Sequence, residues 1–281
     1  MLTSDRYTEY DTWAWLYNET MGPQYYANQM PSLETMLLSQ IPQKAEILDL
    51  CCGTGHLMQP LIQRGYSVTG LDGSEEMLNY ARQNAPQAKF ILGDARTFNL
   101  QSQFDGIYST SASLNHVLNL EELKAVFQNV YQALKPSGLF LFDLNHADQM
   151  QKWWKGQIAE GEIESNYAWY LVPNYDATIR LGNFKITLFQ KNQLKTSTNW
   201  KSFYNTINSP LLTKLRLRLI AKVPQWQNWQ RSEIIYQVKG YFPEEVKTAL
   251  EEVGFTQVQI KTIEGKSNLD NNHSAYFICN K

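Results

Sequence analysis

Apolar residues along this chain follow two periods that alternate with each other, one typical of short buried strands and one typical of amphipathic helices. The strand-like runs in the first half are 47–50, 67–71, 89–92, 104–109 and 138–144. The helical patterns are 56–64, 75–84 with Ser74 as its predicted N-cap, 120–134, and an earlier one over 33–40 that is predicted to begin at Ser32. Because strands joined through helices favour right-handed crossovers, this order predicts a doubly wound α/β fold with a mostly parallel sheet.

The pattern changes near residue 148 and returns near residue 241. The segments between alternate like strands and are rich in aromatics: NYAWYLV, DATIRLGNFKITLFQ and LTKLRLRLIAKV. Residues 148–240 hold 13 Lys or Arg against 6 Asp or Glu, a net charge of +7, whereas the rest of the chain carries −9. After them, Pro243 starts a predicted helix that ends at Gly254, and two further strands follow.

These boundaries predict one domain interrupted by an insertion. The core is formed by 1–147 and 241–281, with a seven-stranded sheet and a helical N-terminal segment over 1–40, and an antiparallel β-rich subdomain covers 148–240. The insertion follows the carboxyl end of a strand, where ligands bind in such folds, so we expect it to cap the ligand pocket.

The aromatic residues of the insertion have two interpretations. They could line a pocket, or they could simply hold a small β layer together: Trp169, Tyr170, Trp200, Phe203, Tyr204, Trp226 and Trp229. The alternation of cations with leucines from Lys214 to Leu219 predicts a strand with one solvated face, and the functional alternative is attraction of an anionic acceptor.

Composition limits both the expected location of the protein in the cell and the kinds of chemistry that its side chains can perform. The 281 residues carry a net charge of −2, and neither a secretory signal nor an apolar run long enough to span a bilayer is present, which predicts a cytoplasmic protein without a membrane partner. The three cysteines form neither a disulfide framework nor a metal-ligand spacing, so Cys51 and Cys52 are interpreted as small packing residues and no metal is expected.

A glycine-containing loop follows the first strand. In ILDLCCGTGHL, Gly53 and Gly55 allow the backbone and a helix N-terminus to approach a ligand closely. A dinucleotide fingerprint would need a third glycine where this chain has Met58, which argues against a nicotinamide cofactor. A shorter loop with an acid, Asp49, at the strand end better suits a ligand that carries an amine.

Five motifs in register carry a family resemblance. LDLCCGTGHL resembles the first motif of class I S-adenosylmethionine (SAM)-dependent methyltransferases, and VTGLDGSEEML, GDA, FDGIYSTSASLNHV and LKPSGLFLFDLN resemble the later ones. The resemblance covers roughly 45–145 and 241–281. It implies that SAM is the cofactor and S-adenosylhomocysteine the product, that Asp72 accepts the ribose hydroxyls, and that Asp94 and its neighbours bind the adenine edge. The cofactor-binding residues that it implies are Asp49, Cys51, Gly53, Thr54, Gly55, Asp72, Gly73, Met77, Asp94, Ala95, Arg96 and Ser109.

Some of these residues have simpler explanations. Asp72 could be an ordinary acid at a helix N-terminus, and Arg96 could form a surface pair with Asp94. The segment YTEYDTWAWLY resembles the aromatic lid of small-molecule methyltransferases, which implies that Tyr10 and Tyr17 close over the methionine end of SAM. An amphipathic helix that packs on the core explains the same pattern.

Methyl transfer requires the nucleophile, the methyl carbon and the sulfur to lie in line, so positioning supplies much of the catalysis. An acceptor that must lose a proton also needs a base, and His116 is the favoured candidate over His146, although both could be satisfied locally. The nucleic-acid and metal-dependent motifs of other methyltransferases are missing, so the chain is expected to methylate N, O or C of a small molecule. The alternatives are a SAM- or nucleotide-binding protein without catalysis and a nicotinamide-dependent oxidoreductase.

Overall fold

The computed structural model describes residues 10–191, 204, 206–222 and 229–281. The chain divides into two compact units, one formed by Met1–Gln149 with Gly240–Lys281 and the other by Met150–Lys239. Among the described residues, no helix combines the length and the apolar character that crossing a membrane requires.

The strands form two separate sheets. The first sheet contains β1 Glu46–Leu50, β2 Ser67–Asp72, β3 Lys89–Leu92, β4 Phe104–Ser109 and β5 Leu134–Leu144, together with the last two strands, β10 Thr256–Lys261 and β11 Ala275–Asn280. The second sheet lies in the insertion and contains β6 Glu160–Ile163, β7 Tyr167–Asp176, β8 Leu181–Lys191 and β9 Trp229–Lys239. The strand orders are β10-β11-β5-β4-β1-β2-β3 and β6-β7-β8-β9. Strands β1 to β5 pair in parallel, whereas β11 is antiparallel to both of its neighbours. The predicted doubly wound seven-stranded fold with a separate antiparallel sheet is confirmed.

The helices are α1 Ala14–Glu19, α2 Met21–Leu33 with a π-helical turn Glu34–Leu38, α3 Met58–Gln63, α4 Glu75–Asn84, α5 Leu120–Ala133, α6 Ala147–Trp153, α7 Thr213–Ile220 and α8 Pro243–Val253, with 3₁₀ turns at Ser113–His116 and Pro210–Leu212. Two predicted helix ends are confirmed: the Ser74 side chain accepts a hydrogen bond from the Met77 N–H, and Gly254 ends α8 with a φ of 115°. Glycine adopts that left-handed conformation at little cost.

Two predictions about helices were wrong. Ser32 does not begin a helix: it is buried near the end of α2, and its hydroxyl donates to the carbonyl of Ile263. The segment from Lys214 to Leu219 is part of helix α7 and not a strand. Leu, Lys and Arg are all strong helix formers, and three alternations are too few to override that preference.

The core of the first unit lies on both faces of its sheet. Phe140 and Phe142 on β5 stack with ring centroids 4.7 Å apart, and Phe142 stacks on Phe277 of β11 at 4.9 Å. The central strands are consequently buried along nearly their whole length, as a parallel sheet covered by helices requires. This packing fixes the carboxyl ends of β1, β2, β4 and β5 at one edge.

Candidate active site

The loop after β1 contains three residues in the left-handed region. Cys51, Gly53 and Gly55 have φ values of 63°, 52° and 73°. A Cβ atom on Gly55 would lie only 3.0 Å from the Cβ of Ala81 in α4, so this position requires glycine for space as well as for conformation. The glycines let the loop turn tightly and pack on the helix after β2, which brings the ends of the two strands together.

Asp72, the last residue of β2, is held by that loop. Its carboxylate accepts the Gly53 N–H at 2.8 Å and the Ser74 N–H at 2.9 Å, one on each oxygen. Burial raises the pKa of Asp72, and these backbone hydrogen bonds oppose the rise. Each oxygen keeps a lone pair for a hydroxyl group of a ligand.

Asp49 lies one strand away and is almost fully buried. Burial raises the pKa of its carboxyl to about 7, while the nearby Tyr108 hydroxyl lowers it and the charge of Asp72 raises it further. Burial, above all, also raises the pKa values of Cys51 and Cys52, so both are protonated thiols at neutral pH. That state agrees with the interpretation of both cysteines as packing residues, because a thiol is a poor nucleophile.

A cleft that is partly open to solvent lies over this loop. Its walls come from helices α1 and α2, the end of β1, the glycine loop and the loop after β4. They are formed by Tyr17, Gly22, Tyr25, Tyr26, Asp49, Cys51, Cys52, Thr54, Gly55, His56, Leu57, Thr110, Ser111 and Ser113. Five of the predicted cofactor residues (Tyr17, Asp49, Cys51, Thr54 and Gly55) therefore line one cleft.

Residues that the sequence did not single out complete this cleft. Tyr25 packs edge-on against Tyr17, with ring centroids 6.2 Å apart. The His56 ring lies beside Gly22 of α2, and its Nδ1 is 2.9 Å from the Thr54 hydroxyl. Tyr25 follows Tyr17 by about two helical turns, a spacing that would place both rings on the same face of one helix. The break between α1 and α2 is not visible in the sequence, so this spacing alone did not identify Tyr25 as a cleft residue.

Three long-range contacts hold the N-terminal segment on the core. The Tyr10 hydroxyl is 2.6 Å from Nε2 of His116, the Ser74 hydroxyl donates to the carboxylate of Asp11, and the Asn84 amide donates to the Asn18 side chain at 2.7 Å. The packing that the sequence offered as an alternative is also present, since Trp13 and Leu16 are buried.

The two candidate histidines differ in their surroundings. His116 is half-buried at the end of the 3₁₀ turn that begins at Ser113, and its Tyr10 partner is 106 residues away in sequence. His146 is buried, with Nε2 3.1 Å from the carbonyl of Asp270 and Nδ1 unpaired within the described part of the chain. His146 is therefore packed into the core, whereas His116 is half-exposed.

A buried carboxyl that the sequence did not assign shapes the loop after β4. Ser111 and Ala112 are consecutive non-glycine residues with φ values of 61° and 56°. The Asp143 carboxylate, at the end of β5, accepts the Ala112 N–H at 3.0 Å. Burial raises the pKa of Asp143 to about 7, and the backbone hydrogen bonds lower it. Asp143 thus stabilises a strained turn that lines the cleft.

The pairing of Arg96 with Asp94 after β3, which the sequence offered as the alternative to adenine binding, is present. Arg96 Nη2 lies 2.6 Å from Asp94 Oδ2, and its Nη1 lies 3.1 Å from Glu122. The Asp94 carboxylate raises the pKa of Arg96, so the guanidinium stays charged. This pairing occupies much of the hydrogen-bonding capacity of Asp94, and the adenine-binding role of this pair and of Ala95 stays a prediction.

The aromatic residues of the insertion pack mainly among themselves. Tyr170, Tyr204 and Trp229 surround a buried cluster that contains Ile163 and Phe189, and Trp169 is buried. Trp200, Phe203 and Trp226 lie outside the described residues. For the described members, holding the small sheet together accounts for their positions.

Comparisons with known proteins agree with this geometry. Residues 47–138 match the family described as a methyltransferase domain. The uncharacterized methyltransferase sll0829 of Synechocystis is 33% identical over 173 residues, which cover 61% of this chain and 78% of that protein. The chain belongs to the SAM-dependent methyltransferases.

Other relatives extend the comparison. The putative methyltransferase YqeM of Bacillus subtilis is 32% identical over 57% of this methyltransferase, and the match spans 65% of the length of YqeM. A dTDP-3-amino-3,4,6-trideoxy-alpha-D-glucopyranose N,N-dimethyltransferase of Streptomyces venezuelae is 29% identical over 50% of this chain and 56% of that enzyme. A SAM-dependent methyltransferase from Clostridium acetobutylicum shares the fold, with a TM-score of 0.70, 17% identity, and coverage of 96% of this chain and 98% of that one.

SAM is the methyl donor of this methyltransferase, and the residues present fit it. A buried carboxylate at Asp49 suits its amine, the free lone pairs of Asp72 suit its ribose hydroxyls, and aromatic rings such as Tyr17 suit its positive sulfur. Thr54 and Gly55 line the cleft, and Gly53 lies next to Thr54 in the same loop. Gly73 and Met77 lie at the start of α4 beside Asp72, and Ser109 is buried at the end of β4.

Proposed function

We propose that this methyltransferase methylates an amine of a small polar molecule. The observation that carries the proposal is the Tyr10–His116 pair, 2.6 Å apart, at the end of a turn whose first residue, Ser113, lines the donor cleft. An amine is protonated near neutral pH and must lose a proton before its lone pair can attack carbon. A half-buried imidazole is the side chain best suited to accept that proton.

The donor, when bound, supplies a methyl group on a positively charged sulfur. In the proposal, His116 accepts the proton of the acceptor ammonium, and the Tyr10 hydroxyl orients the imidazole through their hydrogen bond. Asp49, Asp72 and the glycine loop hold the donor, so that positioning supplies most of the rate. The N,N-dimethyltransferase from Streptomyces venezuelae, which is named for an amino sugar, supports an amine as the methylated group.

The sequence-based division of the chain forms a second part of the proposal. We retain the prediction that the core 1–147 and 241–281 binds the donor, with 1–40 as its helical lid. Residues 148–240 determine which acceptor is bound. The support is that they leave the core directly after β5 and return before α8, so they can vary without altering the donor-binding strands.

Transfer of radiolabelled methyl groups from SAM tests the function. We expect labelling of a dTDP-linked amino sugar and no labelling of the matched sugar in which a hydroxyl replaces the amine. Labelling of the hydroxyl compound alone would contradict the proposal.

The role of His116 needs variants of its own. His116→Ala should lower kcat by about 10²-fold or more, the usual contribution of a general base, while donor affinity stays within a factor of about two. Raising the pH should restore part of the rate in His116→Ala, because more acceptor is then already deprotonated. An equal loss of rate at every pH would assign His116 a purely structural role.

A further inference from the structure

The stretch Pro210–Lys222 in the second unit carries an exposed stripe of leucines and cations. Leu211 is 95% exposed and Leu215 is 47% exposed, and Lys214, Arg218 and Lys222 are exposed beside them. Lys214, Leu215 and Arg218 belong to helix α7, and their spacings place them within an arc of about 100° on one face. Leu211 lies in the 3₁₀ turn just before α7, and Lys222 follows its end.

The opposite face of this stretch anchors it to the sheet of the insertion. Ile220 is fully buried with Ile163 and Phe189, and Leu217 and Leu219 pack against that cluster. Arg216 does not belong to the exposed stripe, because its guanidinium donates to the carbonyls of Ile207, Asn208 and Ser209. The orientation of α7 is thus fixed by its packing, and the leucines of the stripe point outward.

The charges of the stripe are not neutralised within the described part of the chain. The stretch from Pro210 to Lys222 contains no Asp or Glu, and Lys214, Arg218 and Lys222 make no ion pair with another described residue. Cations that only solubilise a surface are usually mixed with acids. Three cations that make no ion pair with a described residue instead complement an anionic surface.

The combination of leucine and lysine on one face narrows the kind of partner. In a symmetric dimer in which the stripe packs against itself, Lys214, Arg218 and Lys222 would lie close to the same cations of the second copy, which repel. A nucleic acid would attract the cations but would leave Leu211 and Leu215 in water. The headgroup region of an anionic bilayer accepts both, because leucines enter the acyl boundary while cations stay at the phosphates.

We propose that the stripe formed by Leu211, Lys214, Leu215, Arg218 and Lys222 docks this methyltransferase onto the surface of a membrane rich in anionic phospholipid. Peripheral docking of this kind needs no spanning segment. The sequence-based expectation of no membrane partner rested on the net charge and on the missing apolar span, and the segment 214–219 was separately interpreted as a strand. In a strand the leucines would face away from the cations, whereas in helix α7 Leu215 lies beside Lys214 and Arg218.

Flotation with lipid vesicles tests this proposal on the full chain. The wild type should float with vesicles of phosphatidylcholine mixed equally with phosphatidylglycerol, and it should remain unbound with phosphatidylcholine alone. The variant K214Q/R218Q/K222Q should bind the anionic vesicles about 100-fold more weakly. A matched control, K44Q/K89Q/K155Q, removes three exposed lysines elsewhere and should bind like the wild type.

The leucines are tested separately with L211N/L215N, which keeps every charge. This variant should lose at least about tenfold in vesicle affinity while its melting temperature stays unchanged, because both side chains are exposed. The proposal is overturned if the wild type does not bind anionic vesicles, or if both sets of variants bind like the wild type. It is also overturned if L211N/L215N instead abolishes a dimer seen by sedimentation equilibrium.

Discussion

At the scale of single residues, two buried carboxyls in the unit that contains the cleft have pKa values near neutral pH. Burial raises the pKa of Asp49 and of Asp143 to about 7. Asp49 lines the cleft, whereas Asp143 stabilises the turn at Ser111 and Ala112. Both groups therefore change charge near neutral pH, but with different consequences for binding and for stability.

Donor affinity should depend on the charge of Asp49. The ionised carboxylate attracts the ammonium of S-adenosylhomocysteine, and the protonated form does not. Because the pKa of Asp49 is about 7, affinity should fall as the pH drops below that value, by up to about tenfold per pH unit. Calorimetry between pH 5.5 and 8.5 measures this dependence, and Asp49→Asn should bind weakly with a flatter profile. If affinity depends on pH as steeply in Asp49→Asn as in the wild type, Asp49 does not contribute to donor binding.

Stability should respond to Asp143 in the opposite direction. Its pKa rises from 3.8 in the unfolded chain to about 7 in the folded one, so its contribution to stability is present below pH 4 and lost as the pH rises through 7. Asp143→Asn stays neutral. The free energy of unfolding of this variant relative to the wild type should therefore increase between pH 5 and pH 8, by roughly 1.4 kcal/mol per pH unit at most. Chemical denaturation at both pH values measures it. Asp148→Asn, at an exposed carboxyl, should show no such change.

At the scale of elements, the approach of helix α2 to the glycine loop sets the width of the cleft. A Cβ atom on Gly22 would lie 2.8 Å from Nδ1 of His56 and 3.0 Å from the Thr54 hydroxyl. Ordinary contacts are longer than this, so α2 can come this close only because residue 22 is glycine. The tyrosines of the cleft on the same helix, Tyr25 and Tyr26, depend on this approach.

Gly22→Ala should displace α2 from the loop. We expect weaker binding of S-adenosylhomocysteine and a loss of about 1–3 kcal/mol in stability, the usual cost of overpacking. The double variant Gly22→Ala with His56→Ala removes the ring that the new methyl group meets, so it should recover much of the stability. If the two losses are simply additive in denaturation experiments, the contact with His56 does not set the helix position.

Sequence patterns predicted elements better than they predicted contacts. The strands and helices of the core alternate regularly, and the cap at Ser74 and the end at Gly254 depend only on neighbouring residues. Ser32 was misassigned because its partner, Ile263, is 231 residues away. The Asp143–Ala112 contact joins the ends of β5 and β4, which are neighbours only through the strand order, and the Tyr10–His116 contact depends on how the N-terminal segment packs, so no local pattern indicates either.

At the scale of the whole molecule, the cleft lies in one unit, and we propose that the insertion in the other unit determines which acceptor is bound. The cleft is lined by helices α1 and α2, the end of β1, the loop from Cys51 to Leu57 and the loop after β4, all within the unit that contains the family motifs. The insertion Met150–Lys239 carries a separate sheet, and the family motifs do not extend into it. Because the family motifs lie in the first unit, they identify the methyl donor but carry no information about the acceptor.

The most direct test of this account is calorimetric titration of the wild type and of Asp72→Ala with S-adenosylhomocysteine, with NAD as the comparison ligand. Asp72 is oriented by the Gly53 and Ser74 N–H groups and is proposed to hold the ribose. We predict binding to the wild type, no binding of NAD, and a loss of at least about 100-fold in Asp72→Ala, consistent with two lost charge-assisted hydrogen bonds. Asp148→Ala should bind like the wild type. Unchanged affinity in a folded Asp72→Ala, or preference for NAD, would contradict the account.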